Sequence, residues 1–137
     1  MQNAPAIRVL VADDHLVFRE GLRQACEIEE SLEVVGEAEN GQEAVELARR
    51  LRPDVILMDI ELPILDGVQA TRLITGDNSE ARVIVLTVYQ EDKYVIEAIK
   101  AGAWGYLLKG VDEETLIEAV RAVHRGEPLL DPHLGPS

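Results

Sequence analysis

Asp54-Val55-Ile56-Leu57-Met58-Asp59 sets a short, unbroken apolar run against a carboxylate at its far end. Such a run is too short for a buried helix. With no polar residue alternating inside it, it predicts a strand covered on both faces, as in a parallel sheet whose connecting helices lie on either side. Ile7 to Ala12 and Arg82 to Thr87 read the same way. Glu33 to Ala38 and Trp104 to Leu108 carry charge, or Gly and Tyr, which places them at the sheet edges.

Amphipathic stretches separate these runs. Phe18, Leu22, Ala25 and Cys26 form one helical stripe, and Ala44, Leu47, Ala48 and Leu51 a second. Val95, Ala98, Ile99 and Gly102 form another, and Leu116, Ala119, Val120 and Val123 the last, while a helix near Val68 to Ile74 has the weakest period. Asn40 with Glu43, and Asp66 with Gln69, have capping-box spacing, and Gly102 and Gly126 suit left-handed helix ends. Five strands alternating with five helices predict an α/β fold, a doubly wound parallel sheet.

The chain has 137 residues, enough for one domain with its own core. Aromatic residues are only 4%, so that core must be built from aliphatic side chains. Thirteen Lys and Arg face twenty-six Asp and Glu, and the resulting charge of −13 has the wrong sign for neutralising phosphate backbones. Cys26 is the only cysteine, which excludes an intramolecular disulfide and a cysteine zinc cage and fits a reducing cytoplasm. Residues 1–6 lack the basic flank and apolar core of a signal peptide and read as a disordered or extended N-terminus. Residues 7–126 hold the domain. From Glu127 the chain carries three prolines in eleven positions without helical period, as a linker does. No stretch approaches the roughly 18 apolar residues of a membrane helix, so no membrane contact is expected.

Polar residues stop the apolar runs at strand ends: Asp13 and Asp14 after the first, Asp59 after the third, Thr87 ending the fourth, Lys109 after the fifth. All are C-terminal ends. In an open parallel sheet these ends form one rim, which is where such folds bind ligands. Carboxylates gathered there repel one another unless a cation sits among them, and Mg²⁺ favours carboxylate oxygens. A carboxylate can also attack phosphorus, and a neighbouring ammonium and hydroxyl can hold the phosphoryl oxygens, which gives work to Lys109 and Thr87. Taken singly, Asp14 could instead cap the first helix, Tyr106 and Trp104 could simply pack, and His15 could be a loop residue near the pocket.

Asp13-Asp14, the run Met58-Asp59-Ile60-Glu61-Leu62-Pro63 with Asp66-Gly67, then Leu86-Thr87 and Gly105-Tyr106-Leu107-Leu108-Lys109 together resemble the receiver domain of two-component response regulators, over about residues 7–126. The resemblance implies a flavodoxin-like (CheY-like) sheet of order 2-1-3-4-5. It implies Asp59 as phosphoacceptor from a sensor histidine kinase. Asp14, Asp59 and the Glu61 backbone carbonyl would bind Mg²⁺, with Asp13 acting through water. Thr87 and Lys109 would hold the phosphoryl group, and Tyr106 would be a switch that turns inward when Thr87 moves.

Asp14-His15, Phe18-Arg19-Glu20-Gly21-Leu22 and Ala101-Gly102-Ala103-Trp104 are similar to regulators with a LuxR-type helix-turn-helix output domain (NarL/FixJ-like). For those, transcription control, DNA contact through a further C-terminal domain, and a homodimer formed on phosphorylation are implied. A surface of helix four, strand five and helix five, bearing Lys93, Glu97, Lys100, Glu114, Arg121 and Arg125, is expected to change with phosphorylation. Gly110 stands where many receivers have a proline in a cis bond. Val88, Glu61 and Tyr89 are expected to crowd the approach of water to Asp59 and lengthen the life of the phosphoryl group. An aspartyl-phosphate phosphohydrolase is the competing enzyme reading, but its nucleophile and acid/base Asp are spaced two apart, whereas here the acidic pair is adjacent. The domain is accordingly expected to regulate rather than to turn over an outside substrate.

Overall fold

A computed structural model describes residues 5–88 and 92–128, the side chains of 92, 94 and 95 excepted. Residues 1–4, Tyr89 and the expected linker beyond residue 128 lie outside the described residues. The elements run β1 (Ile7–Ala12), α1 (Leu16–Ile28), β2 (Leu32–Ala38), α2 (Gly41–Leu51), β3 (Val55–Asp59), α3 (Gly67–Asp77), β4 (Arg82–Thr87), α4 (Asp92–Lys100), β5 (Gly105–Leu108) and α5 (Glu113–His124). The strands form one parallel sheet of order β2-β1-β3-β4-β5, as expected. Charge in β2 and the Gly-Tyr start of β5 do mark the two edges.

Alternation along each strand splits the core into two layers. Val9, Val11, Val55, Leu57, Ile84, Leu86 and Leu107 pack on one face against Leu22 and Cys26 of α1 and Leu116, Val120 and Val123 of α5. Leu10, Ile56, Met58, Val83 and Val85 pack on the other against α2, α3 and α4. Burial on both faces is why β1, β3 and β4 carry unbroken aliphatic runs. Cys26 is buried in the first layer, where loss of solvent pushes its thiol up to about 11 and keeps it unreactive.

Local signals set the helix boundaries. The Asn40 side chain accepts from Glu43 N–H at 2.8 Å as expected, while Glu43 Oε1 accepts from Glu39 N–H at 2.7 Å, one residue ahead of the N-cap that a capping box would use. Asp66 accepts from Gln69 N–H at 2.8 Å. Gly102 and Gly126 have φ of 105° and 92°, the left-handed backbone expected after α4 and α5. The described residues contain no cis peptide bond.

Three expectations need correction. In α1 the buried stripe takes in Arg19, whereas Phe18 is only half-buried. The α4 stripe holds only in part: Ala98 is buried, but the helix ends at Lys100, Gly102 lies beyond it, Ile99 is exposed together with Ile96, and the Val95 side chain lies outside those described. Ala98 and, just after the helix, Ala101 make the described buried contact. Arg121 was expected on the face shared with α4. Its guanidinium instead reaches Glu29 at 2.7 Å and Ser31 at 3.1 Å, bracing α5 against the end of α1.

Candidate functional site

Asp13, Asp59 and Lys109 continue the stripe that faces α1 and α5. Each lies two residues beyond a member of that layer: Val11, Leu57 and Leu107. The sheet thus delivers two carboxylates and an ammonium to one rim by simple alternation. Backbone bonds hold the strand ends in step: Asp13 N–H donates to Ala38 O at 3.0 Å, Ile60 N–H to Leu86 O at 3.0 Å, and Lys109 N–H to Thr87 O at 2.8 Å.

Asp13 is fully buried and Asp59 is 2% exposed. Lys109 Nζ lies 2.8 Å from Asp13 Oδ2 and 3.2 Å from Asp59 Oδ2. It hydrogen-bonds Asp59 and forms an ion pair with Asp13 Oδ2. Asp59 Oδ1 accepts from Glu61 N–H at 3.1 Å, which keeps the Glu61 main chain beside it. Asp13, Asp14, His15 and Asp59 each offer an atom within 4.8 Å of the others.

The electrostatics of this group are unbalanced. Loss of solvent raises the Asp59 carboxyl above its ordinary range, and repulsion from Asp13 adds to it, against the opposing Glu61 N–H and Lys109. Burial works to lower Lys109, but the contact with Asp13 and the pull of Asp59 outweigh it, and the ammonium is held more firmly than usual. Asp14 is not a helix cap, because the N-cap of α1 is His15 and its side chain makes no capping bond.

Thr87 closes β4 and is buried. Tyr106 pairs with Val85, one alternation step behind Thr87, so Tyr106 and Thr87 share the face toward α2, α3 and α4. The ring is 1% exposed and already lies inside. Val88 is 63% exposed and Glu61 is exposed, so neither is walled into the rim.

Sequence reasoning missed the roles of Arg19, Phe18 and Gly67. Arg19 is buried in α1, donates through Nη1 to the Asp13 carbonyl at 2.7 Å and through Nε to Glu37 at 3.1 Å, and so fixes the turn that carries Asp13 and Asp14. A cation inside an apolar stripe was the available signal. Phe18 places its ring 4.5 Å from Lys109 Nζ. His15, expected as a loop residue near the pocket, joins the acidic cluster. Gly67 opens α3 where a Cβ would come within 2.1 Å of the Asp59 carbonyl, and its N–H donates to Ile60 O at 2.9 Å. Only glycine lets α3 start against the backbone of Asp59.

The donor set suits a hard cation. Asp13, Asp14 and Asp59 carry three negative charges and Lys109 offsets one, so a divalent ion would bring the rim to neutrality.

Comparison with known proteins points the same way. Residues 9–121 match the response regulator receiver domain. The transcriptional regulatory protein LnrK of Bacillus subtilis is 41% identical over 128 residues, which are 93% of this chain and 58% of that protein. The transcriptional regulatory protein DegU of Brevibacillus brevis is 42% identical over 130 residues, 95% of this chain and 55% of that protein. The chain therefore spans little more than half the length of these relatives. Among solved structures, a LuxR-family two-component response regulator from Aurantimonas superposes with a TM-score of 0.90 at 35% identity, covering 94% of this chain and 92% of that one. The receiver domain of the putative response regulator NarL from Mycobacterium tuberculosis gives 0.88 at 35% identity, covering 90% of this chain and 100% of that one. With a family match across most of its length, and a rim on which Asp13, Asp59, Thr87 and Lys109 sit at successive strand ends, this chain belongs to the response regulator receiver domain family.

Proposed function

We propose that this domain accepts a phosphoryl group on Asp59 from a phosphohistidine of a sensor histidine kinase and passes the change to a transcriptional output. One observation carries the reading: a single ammonium, Lys109, lies between the carboxylates of Asp13 and Asp59 at 2.8 and 3.2 Å in a rim that holds one carboxylate more. Asp59 attacks phosphorus through a carboxylate oxygen, the nitrogen–phosphorus bond breaks, and the kinase imidazole leaves with the electron pair. Lys109 then follows the new negative charge and Thr87 donates its hydroxyl to a phosphoryl oxygen. Asp14, Asp59 and the Glu61 carbonyl would hold Mg²⁺, with Asp13 acting through water. The bound ion supplies charge neutralisation between carboxylate and incoming phosphoryl oxygens.

Movement of Thr87 toward the phosphoryl group would change the space beside Tyr106, on the same face, and alter the surface of α4, β5 and α5. The relatives are transcriptional regulators, and the chain's own charge of −13 opposes direct DNA contact, so the output acts through a further domain and through homodimerisation. No helix among the described residues is long and apolar enough to cross a membrane.

The test uses acetyl phosphate or phosphoramidate with Mg²⁺ and intact mass. One phosphoryl group is expected on the native chain and none on Asp59→Asn or in chelator. Unchanged labelling of Asp59→Asn refutes the assignment. Beryllofluoride with Mg²⁺ should shift the amide resonances of Thr87 and Tyr106, and shifts confined to Asp13, Asp14 and Asp59 would refute the switching route.

A further inference from the structure

His15 is the one residue of the acidic cluster whose chemistry the phosphoacceptor reading leaves unused. It stands at the N-cap of α1 yet makes no side-chain capping bond, so helix formation does not explain where its ring lies. Its N–H donates to Asp13 Oδ1 at 2.8 Å, which bends the turn back and carries the imidazole over the carboxylates. Nδ1 then sits 3.3 Å from Asp13 Oδ1 and 3.3 Å from Asp14 Oδ1. Neighbouring donors on an octahedral ion bonded at about 2.1 Å are about 3.0 Å apart, so the spacing from Asp14 Oδ1 is close to that of two donors sharing one ion. Asp13 and Asp59, both buried, belong to the same cluster. The ring is 68% exposed, so it lies at the mouth, where an ion arriving from solvent meets it first.

From this geometry we infer that His15 is a nitrogen donor at the rim and makes this a mixed nitrogen–oxygen site that favours first-row transition ions over Mg²⁺ more strongly than carboxylates alone would. The inference rests on the rim being a metal site. Imidazole suits borderline ions such as Co²⁺ and Ni²⁺, whereas Mg²⁺ prefers oxygen and keeps its waters. His15 therefore adds affinity for the first class and little for the second. The rival role is a ring N–H that merely donates to Asp13 and Asp14, which would alter both classes of ion together.

The experiment titrates the metal-free chain with Mg²⁺ and with Co²⁺ by calorimetry, following the visible absorption of bound Co²⁺, for the native protein, His15→Ala and His15→Gln. The expected result is Co²⁺ binding weakened on the order of tenfold or more in His15→Ala, with its absorption bands shifted, while Mg²⁺ affinity stays nearly constant. His15→Gln, which keeps length and polarity without the ring nitrogen, should not restore the Co²⁺ preference. Equal changes for both ions, or unchanged Co²⁺ bands, overturn the inference and leave the metal site standing. Failure of the native chain to bind either ion overturns the metal site itself.

Discussion

The two poles of the sheet treat charge in opposite ways. At the pole of the N-terminal strand ends Arg8, Arg49 and Arg82 each have a matched acceptor. The Arg8 side chain donates to Arg52 O at 2.8 Å while its main-chain N–H meets Asp54 at 2.9 Å, and Arg49 meets Asp77 at 2.6 Å. Arg82 donates to both Val123 O and His124 O at 2.8 Å and stacks 4.6 Å from the centre of the Trp104 ring. At the opposite pole three carboxylates crowd one ammonium, two of them without solvent to screen them. One pole is settled by the fold, and the other is settled only by something added. Stability and function thus occupy opposite ends of the same five strands.

The largest test of this contrast removes the lone ammonium. Lys109→Met leaves Asp13 and Asp59 buried and unpaired and is expected to destabilise the metal-free domain by about 3–5 kcal/mol, measured by urea unfolding, with much of the loss recovered in Mg²⁺. A small effect, or no recovery, would mean that the acidic pole is not electrostatically strained. Arg82→Met attacks the settled pole instead. Loss of two carbonyl bonds and the stacked ring should cost about 2 kcal/mol with no response to Mg²⁺. Dependence on the ion there would dissolve the distinction between the poles.

Asp59→Asn should act in the other direction, stabilising the metal-free domain by about 1 kcal/mol, because it removes a buried charge repelled by Asp13. The folded carboxyl of Asp59 titrates above its unfolded value, so its penalty is complete only above that raised folded value. The penalty fades as pH falls through the raised folded value and vanishes below the ordinary carboxylate range. The gap between native and Asp59→Asn stabilities should therefore narrow on acidification in chelator, and a gap that widened would reverse the sign assigned to this site. The smallest effect belongs to Arg49→Ala, whose partner Asp77 is also exposed. Its loss should change stability by at most about 0.5 kcal/mol and should vanish in high salt.

The aliphatic runs and the polar residues that end them were enough to read the sheet and most of the rim, because burial on two faces leaves little freedom in what β1, β3 and β4 can contain. Alternation then carries Asp13, Asp59 and Lys109 to one side without any knowledge of the helices. What stayed illegible depends on side chains that cross between elements. Arg19 stands as an unmatched cation in the apolar stripe of α1 until β2 brings Glu37 beside it. His15 looks like a loop residue until its own N–H folds the turn. The α4 stripe misled because small alanines, not the flanking isoleucines, make a short helix fit closely.

The Arg82 clamp has a mechanical meaning. It fastens the last carbonyls of α5 to the first residue of β4, at the far pole from Asp59. The twelve residues of α5 span about 18 Å, so whatever continues from Gly126 departs that far from the chemistry. A phosphoryl group on Asp59, as proposed, would lie too far from that end to touch it, and Arg82 would hold the end of α5 in place while the rim changed.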